Sequence, residues 1–282
     1  MTSKVIGIDL GASNIRAGLV VNGKIIRYTK AKLPTNKTYQ NVLDLIFQCI
    51  DEIIEPEVVA IGIGVPSIVE RNSGIVYNVQ NIPQWQEVPL KDILQQRYSC
   101  QVAVNNDANC FALGEYLYGT GKNYTNFIGI TIGTGVGGGI INNGKLLIDV
   151  NCGSGEFGEM LYLDSKYENY CSGMFFTLKY STTAEEVFHQ AQNGNTDAIA
   201  ICNEFGHHLG KLIYSIVAAF DPEVILLGGS IASGYALYQS AIYEELAKFP
   251  YPLIINRLKI ICTATADIQI LGAAALYFNN NH

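Results

Sequence analysis

Charged residues make up only 15% of this chain, and basic charge is the scarcer sign. Lys and Arg number 18 against 25 Asp and Glu, giving a net charge of -7 at neutral pH. No stretch gathers Lys and Arg into a cluster, so non-specific binding to nucleic acid is disfavoured. No run of about 18 apolar residues is present, so no membrane span is expected. The start, MTSKVIGIDLGAS, enters a strand pattern at once, without the charged and then long apolar regions of a signal peptide. The seven cysteines are scattered, with no CxxC or CxC among them. They read as buried free thiols of a cytoplasmic protein. No cysteine pair has ligand spacing and only four histidines exist, so no zinc site is expected.

Apolar side chains are plentiful instead, at 49% of 282 residues. That suffices for one large or two ordinary domains with real cores.

The chain repeats itself. Asp9 to Ile26 reads DLGASNIRAGLVVNGKII, and Thr131 to Leu147 reads TIGTGVGGGIINNGKLL. Each is an apolar strand, a glycine-containing turn, a second apolar strand and then Asn-Gly-Lys. Asn-Gly between β-rich runs predicts a type I′ hairpin, at Asn22-Gly23 and at Asn143-Gly144. Downstream, PEVVAIGIGVPS from Pro56 finds its counterpart in PEVILLGGS from Pro222. Both are near-continuous apolar runs, as in strands covered on both faces. Amphipathic helices are predicted before each, over about 39–54 and 197–220. His208, on the second of these helices, reads as a packed core histidine. The expectation is two α/β domains, residues 1–118 and 119–282, with the boundary near Gly119 to Tyr124. A last helix, about 268–279, packs back on the first domain. Two such domains would face each other across a ligand cleft.

Gly11, Ala12, Ser13 and Asn14 make a tight turn straight after the strand ending in Asp9-Leu10. Gly133 to Gly139 holds five glycines in seven residues. Glycine admits positive φ and lets backbone N–H groups approach an anion closely. Neither run is a Walker A loop, and neither is GxGxxG before a helix. Either alone could be a plain hairpin turn; the duplication points to phosphate binding. Gly228-Gly229-Ser230 ends a strand and opens a helix, a third place suited to a phosphate or nucleotide.

Two further segments carry carboxylates. VAVNNDANCFALGE, Val102 to Glu115, ends a strand and starts a helix at about Ala108. Asp107 sits at the N-cap position; it is either only a cap or a carboxylate placed to take a proton from an attacking hydroxyl. GSGEFGEMLYLDSKYENYCSG, Gly153 to Gly173, sets Glu156, Glu159 and Glu168 on a glycine-rich frame. Ionised carboxylates accept hydrogen bonds only, and a sugar presents a fan of O–H donors.

These runs, in this order, resemble the ROK sugar kinases over nearly the whole chain. They are DLGASNIRAG, GIGVPS with VYNVQNIPQW, NNDAN with ALGE, IGTGVGGGII, and GExG followed by YENYCSG. The resemblance implies the actin-like, hexokinase-like ATPase fold of duplicated ribonuclease H-like domains. It implies transfer of the γ-phosphate of ATP, with Mg2+, to a hexose hydroxyl, with O6 the expected acceptor, by a cytoplasmic homodimer. By residue, Asp107 matches the catalytic base and Asn106 the Asn that binds sugar hydroxyls. Glu156 and Glu168 match the two sugar-binding glutamates. Asp9 matches the carboxylate near metal and phosphates. Gly11 to Asn14 match one ATP turn, and Gly133, Thr134, Gly135, Gly137 and Gly138 the other. Gly228 and Gly229 fall with the nucleotide. Ser67 stands beside the sugar, where the family more often has Gly.

Two departures stand out. Glu159 occupies the place of a family histidine that touches the sugar and helps hold a structural zinc. The family's CxCGxxGC run is replaced by DSKYENY. Both changes imply that the zinc site is lost as a unit, with Tyr162, Tyr167 and Tyr170 packed in its stead. They also leave the sugar open among glucose or a related hexose, N-acetylmannosamine and β-glucosides. The competing readings are a non-catalytic sugar sensor, for which repressor relatives carry an added helix-turn-helix not expected here, and a polyphosphate donor, for which no basic groove is evident.

Overall fold

The computed structural model describes residues 3–148, 150–263 and 265–279. They fall into two compact units. One comprises Met1–Asn123, Gly139–Ser154 and Thr265–His282; the other comprises Tyr124–Gly138 and Gly155–Ala264. The segment 139–154 thus groups with the first unit, although it follows residue 118 in sequence.

The first unit opens with a meander of β1 (Lys4–Leu10), β2 (Asn14–Val21) and β3 (Lys24–Lys32). Asn22 and Gly23 take φ of 52° and 72°, the paired positive values that a type I′ turn requires. Helix α1 (Tyr39–Asp51) follows, with the Thr38 hydroxyl accepting from the Asn41 amide as its cap. Its buried stripe is Val42, Leu43, Ile46, Cys49 and Ile50. The chain continues through β4 (Val58–Val65) and a small sheet of β5 (Ile68–Glu70), β6 (Ile75–Tyr77) and β7 (Glu87–Pro89). Then come α2 (Leu90–Tyr98), β8 (Gln101–Asn106) and α3 (Asp107–Tyr118). The main sheet has the order β3-β2-β1-β4-β8, with β1, β4 and β8 parallel. Parallel strands need both faces covered, and both are. One face meets the Ile6, Ile8, Ile46, Ile61 and Trp85 core.

The second unit holds β9 (Phe127–Ile132) and the start of β10 (Val136–Asn142), while the rest of β10 and β11 (Lys145–Leu146) fall in the segment grouped with the first. The hairpin after β10 again has Asn143 and Gly144 at φ of 50° and 72°. A short hairpin of β12 (Leu161–Tyr162) and β13 (Ser165–Lys166) precedes α4 (Tyr167–Cys171), α5 (Gly173–Tyr180) and α6 (Ala184–Gln192). The long helix α7 (Thr196–Phe220) leads to β14 (Val224–Gly228). Next are α8 (Tyr235–Leu246), α9 (Pro252–Arg257) and β15 (Lys259–Cys262). This sheet runs β11-β10-β9-β14-β15, with β9, β14 and β15 parallel. It repeats the strand order of the first sheet.

The last helix, α10 (Ile268–Asn279), belongs to the first unit and covers the other face of its sheet. Glycines let it come close. A Cβ on Gly62 would lie 1.8 Å from the Ala273 carbonyl oxygen, and one on Gly7 2.0 Å from that of Ile270. Gly272 meets α3 equally tightly, its would-be Cβ 1.8 Å from the Cys110 oxygen. The Gly-Ala-Ala-Ala run of α10 is therefore a packing surface, with no room for larger side chains.

Candidate active site

In the first unit the parallel strands end side by side. Asp9 of β1 pairs in register with Gly64 of β4, and Gly64 with Asn105 of β8. Ligands of α/β sheets gather at such carboxyl ends. Gly64 keeps the space between them open. A Cβ there would sit 3.1 Å from Cys110 Sγ and 3.4 Å from Asp107 Cα. Burial pushes the Cys110 thiol well up, and the charges of Asp107 and Asp9 push it further.

The cap of α3 differs from the sequence expectation. Asn106, not Asp107, is the N-cap; its Oδ1 accepts from the amides of Ala108 (2.8 Å) and Asn109 (3.4 Å). Asp107 is the first helical residue, one place earlier than expected for the helix start. The reason is local: β8 stays extended through Asn106, whose short amide satisfies the orphan donors better placed for it than for Asp107. Asp107 shares in that duty, its own Oδ1 accepting from the Ala108 amide at 2.9 Å. Asn106 also donates from Nδ2 to the Ser67 carbonyl at 3.2 Å. The Ser67 hydroxyl donates to the Tyr77 carbonyl, so its position is fixed by the small sheet. Asn105 steadies the group, its Oδ1 accepting from the Asn106 amide at 2.8 Å and from Asn109 Nδ2 at 3.0 Å.

Asp9 is buried beside Arg16, whose Nε and Nη2 reach its Oδ2 at 3.0 and 2.7 Å. Arg16 also reaches Asp267 at 3.3 Å. Burial raises the Asp9 carboxyl above its usual range, against the pull of Arg16. The turn Gly11-Ala12-Ser13 is closed by the Gly11 amide donating to the Asn14 oxygen at 2.9 Å. Lys37 leans on it, donating to the Ala12 carbonyl at 2.6 Å. The motif pattern did not single out Lys37, Arg16 or Asn105. Lys37 lies beyond β3 and carries no local signal; Arg16 was legible only as the second residue of a strand after the turn.

In the second unit the glycine turn is Gly133-Thr134-Gly135. Its Gly133 amide donates to the Gly135 oxygen at 3.0 Å. Gly137 and Gly138 lie inside β10, outside the turn itself. Gly138 serves close packing: a Cβ there would stand 2.4 Å from the Phe157 ring and 2.6 Å from the Gly155 oxygen. Gly155 itself needs its positive φ of 84°. This crossing holds Glu156, half-buried, just ahead of the 3₁₀ turn Phe157–Glu159. Glu168 opens α4 and turns to the glycine run, its Oε2 accepting from the Val136 amide at 3.2 Å. Lys166 stands between two of the glutamates, 2.5 Å from Glu159 Oε1 and 3.2 Å from Glu168 Oε1. The sequence shows Lys166 only as one polar residue in a hairpin.

Tyr162, Tyr167 and Tyr170 pack together as expected. Tyr162 stacks on Tyr167 at 4.2 Å and 11°, and meets Tyr170 edge-on at 5.2 Å. Its hydroxyl lies 3.0 Å from His208 Nδ1, and burial with its neighbours pushes that phenol up to about 12. His208 is buried in this cluster, and desolvation lowers its pKa. Among the described residues no group of three or more His, Cys, Asp and Glu could hold a metal ion.

Beside the second turn lies a cavity of about 1030 Å³, lined by Gly133, Thr134, Gly173, Thr183, Phe188 and Ser230 among others. Both α5 and α6 begin at its wall, with Gly173 and Met174 of one and Ala184 and Glu185 of the other among the lining residues. Gly229, at φ 89°, fits only as glycine, since its Cβ would press within 2.3 Å of the Ile132 oxygen. After it comes a 3₁₀ segment, Ser230–Gly234, before α8, rather than a helix directly.

Two mixed sheets of one plan, each entered through a glycine turn between its first strands, define the hexokinase-like fold. The chain matches the model of the ROK family over residues 5–279, and it belongs to that family. A glucokinase of Thermotoga maritima is 28% identical over 306 residues, covering 97% of this chain and 96% of that protein. An N-acetyl-D-glucosamine kinase of Haemophilus influenzae is 30% identical, covering 96% and 98%. A ROK family glucokinase of Streptomyces griseus, solved with glucose and AMPPNP, is 26% identical. It superposes with a TM-score of 0.81, over 97% of this chain and 99% of that one.

Proposed function

We infer that this chain is an ATP-dependent sugar kinase, transferring the γ-phosphoryl group of ATP to a hexose hydroxyl, with Asp107 as the base. The observation that carries the assignment of roles is the placing of Asp107 at the start of α3, directly after the carboxyl end of β8, with Asn106 as the cap. A carboxylate at this place can accept the proton of the attacking hydroxyl. Phosphoryl transfer asks the protein mainly for positioning and charge neutralisation. Asn106, Ser67, Glu156 and Glu168 orient the sugar, with O6 the acceptor. Gly11 to Asn14 and Gly133 to Gly135 grip the phosphates. The nucleoside occupies the cavity of the second unit, whose volume suits a ligand of that size.

Mg2+ fits this site as a partner of ATP. Both Arg16 contacts fall on Asp9 Oδ2, so Asp9 Oδ1 would be the oxygen that helps hold the ion. Magnesium in such sites keeps most of its waters and needs one or two carboxylates. It would supply charge neutralisation on the phosphates. No zinc enters the reading; the aromatic cluster about Tyr162 braces the loop. The sugar is glucose or a related hexose, with N-acetylmannosamine or a β-glucoside as the alternatives. The reading includes a homodimer in the cytoplasm. No helix among the described residues is long and apolar enough to cross a membrane.

The test is ADP release by the purified protein with Mg-ATP and a panel of glucose, mannose, fructose, allose, N-acetylglucosamine, N-acetylmannosamine and cellobiose. Turnover with a marked preference for one sugar is expected. Sugar binding without turnover on any of them would replace the kinase by a sensor.

A further inference from the structure

We propose that Lys166 is a positioning residue that holds the Glu168 carboxylate against the second glycine turn, and that Glu159 is its counter-ion rather than a sugar ligand. The proposal rests on the kinase reading above. Its basis is one continuous chain of contacts. Glu159 Oε1 meets Lys166 Nζ at 2.5 Å, Nζ meets Glu168 Oε1 at 3.2 Å, and Glu168 Oε2 accepts from the Val136 amide at 3.2 Å.

Each link follows from the fold. Leu163 takes φ of 52°, which closes the β12–β13 hairpin and pairs Leu161 with Lys166. That register returns Lys166 to the end of the 3₁₀ turn that carries Glu159. Glu168 follows two residues later, in the first turn of α4. Gly135 clears its path, since a Cβ there would lie 2.4 Å from Glu168 Oε2. Gly158 admits the start of β10 beside it, its would-be Cβ 2.8 Å from the Val136 oxygen.

The exposures set the roles. The side chain of Glu168 is 17% exposed, that of Lys166 27% and that of Glu159 51%. Glu159 thus stands toward solvent, at the outer end of the chain, and Glu168 at the inner end. The hydrogen bond that Lys166 donates to Glu159 leads the effects that raise the Lys166 pKa, so the cation is secure at neutral pH. With one oxygen held by the cation and the other by the amide, Glu168 is fixed before a sugar arrives. A side chain fixed in advance spares the ordering cost that binding would otherwise carry. The benefit is equal for bound sugar and transition state, so it shows in KM and not in kcat.

The experiment compares K166M, K166R, E159Q and E168Q with wild type for sugar KM, kcat and melting temperature, on the best sugar of the panel. K166M is expected to raise sugar KM about tenfold, the range for loss of a charge-assisted hydrogen bond, with kcat nearly unchanged. K166R should restore most of the loss, and E159Q should raise KM only about threefold. A wild-type KM in K166M, with E168Q impaired, overturns the positioning role and leaves the kinase reading intact. A lower melting temperature in K166M with no KM change, or no rescue by K166R, overturns it as well. A KM loss in E159Q as large as in E168Q would return Glu159 to the sugar. No sugar-dependent turnover in wild type would end both readings together.

Discussion

The two glycine turns have the same length and opposite support. Each joins its strands through three residues, Gly11-Ala12-Ser13 and Gly133-Thr134-Gly135. The first is braced through a carbonyl by a cation, Lys37 on Ala12. The second is braced through an amide by an anion, Glu168 on Val136. The first turn therefore gains positive charge, which favours phosphate, while the second is bound to a glutamate expected to touch sugar. A backbone turn does not settle its own electrostatics. The side chain leaning on it does, and that side chain comes from outside the motif.

The largest effect should come from the chemistry the first unit adds. Asp107→Asn is expected to lower kcat by roughly 10²–10⁴ while sugar binding, followed by calorimetry, stays within a few-fold. Near-normal turnover would remove Asp107 from the role of base.

Alanine in each turn sharpens the comparison. Gly135→Ala drives a Cβ to 2.4 Å from the Glu168 carboxylate, which must give way. Gly11→Ala meets only the Asn14 oxygen, at 3.2 Å. Sugar KM should rise about tenfold in the first variant, as for loss of a charge-assisted hydrogen bond, and ATP KM by about threefold in the second. Equal sugar KM in both variants would contradict the tie between Glu168 and the second turn. Lys37→Met should raise ATP KM by about threefold and leave sugar KM alone, the cost of one partly exposed charge contact. A change in sugar KM instead would reverse the roles of the two turns.

The smallest effect lies in the aromatic brace. Tyr162→Phe removes the partner of His208 Nδ1 and should cost about 1 kcal/mol of stability, read from denaturant unfolding. His208 also sets a pH slope. Its folded pKa lies below its ordinary value of 6.5 because burial disfavours the cation. The unfolded chain then binds the proton more readily, so stability falls as pH drops below about 6.5 and is full above it. His208→Gln should flatten that slope; an unchanged slope would place its origin elsewhere.

The sequence carried the repeats openly. Asn-Gly pairs demand positive φ, alternating and continuous apolar runs demand strands, and the 3.6-residue stripe at Val42 to Ile50 demands a helix. These are local demands, and the structure meets them at Asn22, Asn143 and α1. The candidate site was legible where its residues sit inside a motif, as with Asp9, Asn106, Asp107, Glu156 and Glu168. It was illegible where two distant segments meet.

Local chemistry thus determined the turns, the strands and helices of each repeat and the carboxylates offered to a ligand, because turn geometry and apolar period act over a few residues. The tertiary structure alone decided that Asn106 rather than Asp107 caps α3, that Gly7, Gly62 and Gly272 exist to admit α10, and that Lys37 and Lys166 lean on what they do. Such choices depend on backbone spacing of a few ångströms between segments far apart in the chain. A side chain's charge is written in the sequence, but the partner that gives the charge its use is written only in the packing.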